Sequence, residues 1–257
     1  EGTDGGGSIR IPAAWCGVVG YKASHGRVPL LARPNAFIGD APFIFEGPIT
    51  RSVDDAALAL TALSGYHPRD PYSSTEDVDF LAATQRSVDG WKIGYSPNLD
   101  VFPVESQVAQ VVERAVDAFS DAGAHIEPVE LGLRHTHMEL ADLWCRLIMP
   151  ASLSILDGWK RAGIDVLADH RHDLPPELLM WVEQCMDMRV VDFFRDQEIR
   201  SEIFDAFQDV FENYDLLICP TLACMPVDNA TDGNTLGPES INGEPMNRLI
   251  GWGMTYF

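Results

Sequence analysis

Residues 91–131, WKIGYSPNLDVFPVESQVAQVVERAVDAFSDAGAHIEPVEL, carry the pattern that sets the fold class. WKIGYS (91–96) reads as a short strand, and AHIEPVEL (124–131) as a second one. Between them, apolar residues recur at helical spacing from Ser106 to Ala122, and Gly123 stops the run. Strand, helix and strand in that order make a β-α-β unit, which favours a parallel or mixed sheet covered by helices. The expected class is therefore α/β, with a mixed β-sheet core flanked by α-helices.

The flanking sequence agrees with this. Ser52 stands before VDDAALALTALSG (53–65) as an N-cap candidate, with acids in the first turn, a helical apolar period and a terminal glycine. HPRDPYS (67–73) is a proline-punctuated loop. From about Met138 to Asn213 the pattern is helical, broken by the DLPPEL turn at Pro175 and Pro176. DLLICPTL (215–222) is short with an apolar centre, Leu216 to Cys219, the expected composition of a buried central strand. VDNATDGNTLGPESINGEPMN (227–247) is polar and glycine-rich, hence loop, and RLIGWGMTYF (248–257) turns apolar again.

Composition bounds the function. A chain of 257 residues with 46% hydrophobic and 22% charged residues suits one globular domain, here residues 1–257. It opens inside a glycine loop and closes on an apolar segment, so truncation at both ends is expected. No apolar run approaches the roughly 20 residues that cross a bilayer, and a cytoplasmic location is expected. The 18 basic and 39 acidic residues leave a net charge of −21, with lysine only at Lys22, Lys92 and Lys160. Such a surface repels nucleic acid and anionic membrane, since phosphate neutralisation supplies non-specific affinity there. It suits a salt-rich cytoplasm or is simply a solvated acidic face. The five cysteines, at 16, 145, 185, 219 and 224, are odd in number and lie mostly among apolar neighbours, so buried thiols are expected and no disulfide framework.

The candidate site lies near the start. Gly5, Gly6 and Gly7 remove every Cβ beside Ser8, so the chain can turn tightly with several N–H groups converging. A serine after such donors can attack a carbonyl whose developing negative charge the same loop receives. Asp4 and Arg10 flank the loop and are expected to form an ion pair that fixes its shape. Taken alone, GGGS also fits a structural turn, while a phosphate-binding Walker loop is excluded because no lysine precedes Ser8. IPAAWCGVV (11–19) then resembles a helix N-terminus with Pro12 in its first turn, followed by the extended VGYK (19–22).

The longer stretch GTDGGGSIRIPAAWCGVVGYKASHGRVP (2–29) closely resembles the nucleophile block of the amidase-signature family. EGPITRSVDDAALAL (46–60), WKIGYSP (91–97) and YDLLICPT (214–221) resemble later family segments, in the family's order. The resemblance implies a partial amidase-signature fold and a serine hydrolase with a Ser–cis-Ser–Lys triad. Ser8 would be the nucleophile, and Gly5, Gly6 and Gly7 would donate the oxyanion hole. The bridging serine and the base lysine would precede Glu1, leaving residues 1–257 alone without a base for Ser8. Lys22 matches a non-catalytic lysine of the block and is read as a surface or structural residue.

The implied substrate is a small-molecule amide, with no metal or organic cofactor, no nucleic acid and no membrane as partner; a homodimer is admitted. The alternatives are the glutaminase component of a tRNA-dependent amidotransferase and a non-catalytic chain that kept the fold. In the amidotransferase branch glutamine is expected after Ser-Ile-Arg, where this chain has Ile11. His135 with His137, and His170 with His172, have a His-x-His spacing but no ligand cluster around them, so solvated loop histidines are expected. Trp144, Met149, Trp159, Met180, Trp181, Met186 and Met188 are read as core packing, with a pocket role open for Trp144 or Trp181.

Overall fold

A computed structural model describes residues 1–38, 44–232 and 234–256. The β-α-β unit forms as its pattern requires: β5 (Lys92–Tyr95) is followed by α4 (Ser106–Asp121) and β6 (His125–Pro128). β6 and β7 (Leu216–Ile218) flank β5, both parallel to it, in the order β6-β5-β7. The fully buried Ile93 lies in β5, the centre of this sheet. Residues 216–218, expected to be a buried central strand, instead form an edge among the described residues, with Leu216 37% exposed. An apolar run reports low polarity, and edge or centre depends on which partners arrive.

Before this sheet come two antiparallel pairs: β1 (Gly2–Asp4) with β3 (Phe45–Gly47), and β2 (Val19–Gly20) with β4 (Ile49–Thr50). Parallel and antiparallel pairing both occur, but in separate small sheets. α1 (Arg10–Cys16) follows β1, with Pro12 in its first turn and Gly17 closing it at φ 65°. α2 (Val53–Leu63) begins at Ser52, whose hydroxyl accepts from the Asp55 N–H, as its sequence signature requires. The short α3 (Phe80–Ala83) is capped by Asp79.

The helical region resolves into α5 (His137–Arg161), α6 (Val166–Asp169), α7 (Pro176–Met186) and α8 (Val190–Phe211). Thr136 and Glu139 form a capping box at the start of α5. Leu140, Leu143, Cys145 and Leu147 of α5 join Val182 of α7 and Ile203 of α8 in the main core. The tail differs from a plain loop: β8 (Ser240–Ile241) and β9 (Glu244–Pro245) form a hairpin around Asn242 and Gly243. Both turn residues have positive φ, 52° and 85°, the geometry an Asn-Gly pair favours. In the last apolar stretch Met254 and Tyr256 are buried at 0% and 1% exposure. Gly233 of the tail and Phe257 of that stretch lie outside the described residues.

Candidate functional site

The glycine loop, residues 5–9, joins β1 to α1, and a single carboxylate organises it. Asp4 is fully buried and sits opposite Phe45 in the β1–β3 register. Its Oδ1 accepts from the Gly7 N–H at 2.7 Å, and its Oδ2 from the Ile9 N–H at 3.2 Å. Arg10 completes the carboxylate from the first turn of α1, donating through Nε at 2.9 Å and Nη2 at 2.8 Å. The flanking ion pair expected from sequence is thus present, as a two-pronged contact with strong directional preference. Gly7 has φ 119°, a conformation open to glycine, and a Cβ there would stand 2.7 Å from Ile11 Cδ1.

Two distant segments brace the loop from outside. The Trp144 indole N–H, from α5, donates to the Gly5 carbonyl at 3.0 Å. The same ring lies so close to Gly6 that a Cβ there would be 2.4 Å from Trp144 Cζ2. Arg10 Nη1 donates to the Thr255 backbone carbonyl, and at 2.6 Å to its hydroxyl. Further along α1, Trp15 stacks on Trp252 with centroids 4.9 Å apart. The loop is therefore held between its own ion pair, the long helix α5 and residues 252–255.

Electrostatics follow from this burial. Removal from water raises the Asp4 pKa, but the Arg10 hydrogen bonds and charge, the Lys22 charge and the Gly7 N–H outweigh it and hold Asp4 below its ordinary value. Lys22 is half-buried, with Nζ 4.2 Å from the Phe45 ring centroid. Burial, reinforced by the positive charges of Arg10 and Arg200 and opposed by Asp4, lowers its pKa to about 8. Lys22 is thus a packed component beside the loop, in keeping with a structural reading.

Ser8 is exposed, whereas Gly6, Gly7 and Ile9 around it are buried. Its hydroxyl has no hydrogen-bond partner among the described residues, and neither do the N–H groups of Gly5, Gly6 and Ser8. Gly7 departs from the expectation for it. Its N–H is directed at Asp4 in this structure, because a buried carboxylate draws the nearest donors to itself.

Other expectations need correction. His137 is 7% exposed, at the first position of α5, instead of in a solvated loop. His170 and His172 are exposed as expected, and no cluster of three or more His, Cys, Asp or Glu that could hold a metal occurs among the described residues. Cys145, Cys185 and Cys224 are buried and Cys219 half-buried, but Cys16 is exposed at the end of α1. Burial pushes the Cys219 thiol up to about 11, against the effect of Arg10, so it is neutral at physiological pH. Of the aromatic and methionine stripe, Met149 and Trp181 are buried, while Trp159, Met180 and Met186 are 49%, 44% and 56% exposed. The bracing roles of Trp144 and Thr255 were not foreseen. Trp144 gave only the signal of an aromatic in an amphipathic helix, and Thr255 gave none.

The chain matches the Amidase family over residues 1–244. It is 29% identical over 260 residues to an acylamidase of Rhodococcus erythropolis, covering 100% of this chain and 51% of that protein. It is 32% identical over 240 residues to a glutamyl-tRNA(Gln) amidotransferase component, the A-type chain, of Rubrobacter xylanophilus, covering 86% and 48%. Among solved structures, a bacterial aryl acylamidase of the amidase-signature enzymes superposes with a TM-score of 0.96 at 47% identity, covering 99% of this chain and 52% of that one. The chain spans about half the length of the relatives it matches. No helix among the described residues is long and apolar enough to cross a membrane.

Proposed function

Since the chain belongs to the Amidase family, we propose that it carries the nucleophile of a serine amidase, Ser8. The observation that supports this best is an exposed hydroxyl set in a rigid glycine loop beside N–H groups that have no acceptor among the described residues. Ser8 Oγ bonds to the carbonyl carbon of an amide and gives its proton to a base. The tetrahedral oxygen takes hydrogen bonds from Gly5, Gly6 and Ser8 itself, while Gly7 shapes the loop through Asp4. Collapse breaks the C–N bond, and the amine leaves with a proton from the protonated base. Water then releases the acid and restores Ser8. In the resemblance the base is a serine–lysine pair, a role assigned to no residue of 1–257. The amide is an aryl acylamide, by likeness to the acylamidases, and the setting is cytoplasmic.

A fluorophosphonate probe tests this on the full-length protein. Labelling at Ser8, lost in Ser8→Ala together with anilide hydrolysis, is the expected result; an unlabelled wild type or an equally active variant overturns it. The amidotransferase reading, favoured by the match to the Rubrobacter protein, requires glutaminase activity that appears only when the other components of such a complex are present.

A further inference from the structure

We propose that Trp144 is a positioning residue that aims the Gly6 N–H at the substrate oxygen; this rests on the amidase reading of Ser8. The reason is the geometry of one peptide group. The Gly5 carbonyl and the Gly6 N–H belong to the same planar trans unit, so they point in opposite directions. Trp144 Nε1 holds the Gly5 carbonyl at 3.0 Å. With that end anchored, the Gly6 N–H is directed away from the indole, and no described residue accepts from it. A glycine pair has the widest backbone freedom of any sequence, so without an anchor this peptide could rotate.

The indole is itself held in place. Its ring abuts the Gly6 Cα, where a Cβ would come within 2.4 Å of Cζ2. On another side the Tyr256 ring, 1% exposed, meets it edge-on at 6.4 Å between centroids. Tyr256 meets Phe102 in the same way at 6.1 Å. Trp144 projects from α5 between the buried Leu143 and Cys145, so its backbone is part of the main core. Helix α5 thereby reaches the candidate reacting centre through one hydrogen bond, although no residue of that helix touches Ser8 in the contacts described.

Trp144→Phe keeps a ring against Gly6 and removes the N–H. In the full-length protein we expect kcat for an anilide to fall about tenfold, less than the roughly 100-fold or more that follows outright loss of an oxyanion donor. KM should stay within about twofold, because a misaimed donor weakens the transition state more than the bound substrate. A trifluoromethyl ketone, whose serine adduct carries the oxyanion, should lose affinity by the same factor as kcat/KM. Rates are referred to the folded fraction from thermal unfolding, and Trp144→Leu, which also lacks a donor, serves as a second variant if the first unfolds. Unchanged kcat in an active protein, or a loss of rate that leaves ketone affinity untouched, overturns the positioning role alone. Wild-type protein that neither hydrolyses anilides nor labels at Ser8 overturns both this role and the amidase reading.

Discussion

Arg10 and Thr255, 245 residues apart in sequence, meet at the glycine loop: Arg10 Nη1 donates to both the carbonyl and, at 2.6 Å, the hydroxyl of Thr255. The other edge of the same guanidinium grips Asp4. Arg10 therefore transmits the position of the last described residues to the carboxylate that shapes the loop. Rigid support of this kind is what a serine needs if its neighbouring amides are to face a developing charge without reorganising.

Asp4→Asn should be severe. The substitution leaves the partly buried Arg10 without its counter-charge and weakens two backbone contacts. Breaking a buried pair in this way costs about 3–5 kcal/mol. Urea unfolding should show a loss in that range, and labelling at Ser8 should slow. The ionised form of Asp4 stabilises the fold, since its pKa is held below the ordinary carboxylate value. That contribution is complete above about pH 4 and disappears as pH falls through the lower folded value. The stability difference between wild type and variant should therefore shrink on acidification.

Gly6→Ala tests the contact with Trp144. The added Cβ would overlap ring atoms that Tyr256 and α5 keep from moving. Overpacking of this type costs about 1–3 kcal/mol. Thermal unfolding should register that loss, and serine labelling should slow beyond what the lost stability explains. A variant with unaltered labelling would separate the ring contact from reactivity.

Lys22→Met should change stability in a definite pH window. Burial lowers the Lys22 pKa to about 8, so its charged form is penalised in the folded state. The penalty is fully present below pH 8 and is relieved as pH rises toward the unfolded value of about 10.4, where folded and unfolded chains bind the proton equally little. Wild-type stability should gain on the order of 3 kcal/mol from this residue across that window, less whatever the Phe45 contact offsets. The difference between wild type and Lys22→Met, measured from pH 7 to 10.5, isolates it; a flat difference refutes the assignment.

The net charge of −21 predicts salt dependence. If the acidic surface is an adaptation to a salt-rich cytoplasm, raising KCl from about 0.1 M to molar levels should increase the unfolding temperature, because screening shortens the reach of self-repulsion from about 10 Å to about 3 Å. An unfolding temperature that stays flat would identify an ordinary solvated acidic face.

Local order was legible in the sequence because its signals lie within a few residues of each other. The β-α-β unit at 91–131 and the Ser52 cap of α2 needed only apolar spacing, a side-chain acceptor and a terminal glycine. The Asn242-Gly243 hairpin was equally local and could have been found from that dipeptide alone. The glycine loop and its Asp4–Arg10 pair were legible for the same reason, with partners six residues apart.

Chain order alone thus specified the β-α-β unit, the capped helix α2 and the glycine loop on which Ser8 sits. Packing in three dimensions was needed to turn the Gly7 N–H to Asp4, to bring Trp144 to the Gly5 carbonyl, to bury His137 and to leave residues 216–218 at an edge. Propensity acts between near neighbours along the chain. The choice of a hydrogen-bond acceptor or a packing partner instead depends on which distant groups burial brings together, and nothing in Trp144 or Gly5 separately records the other.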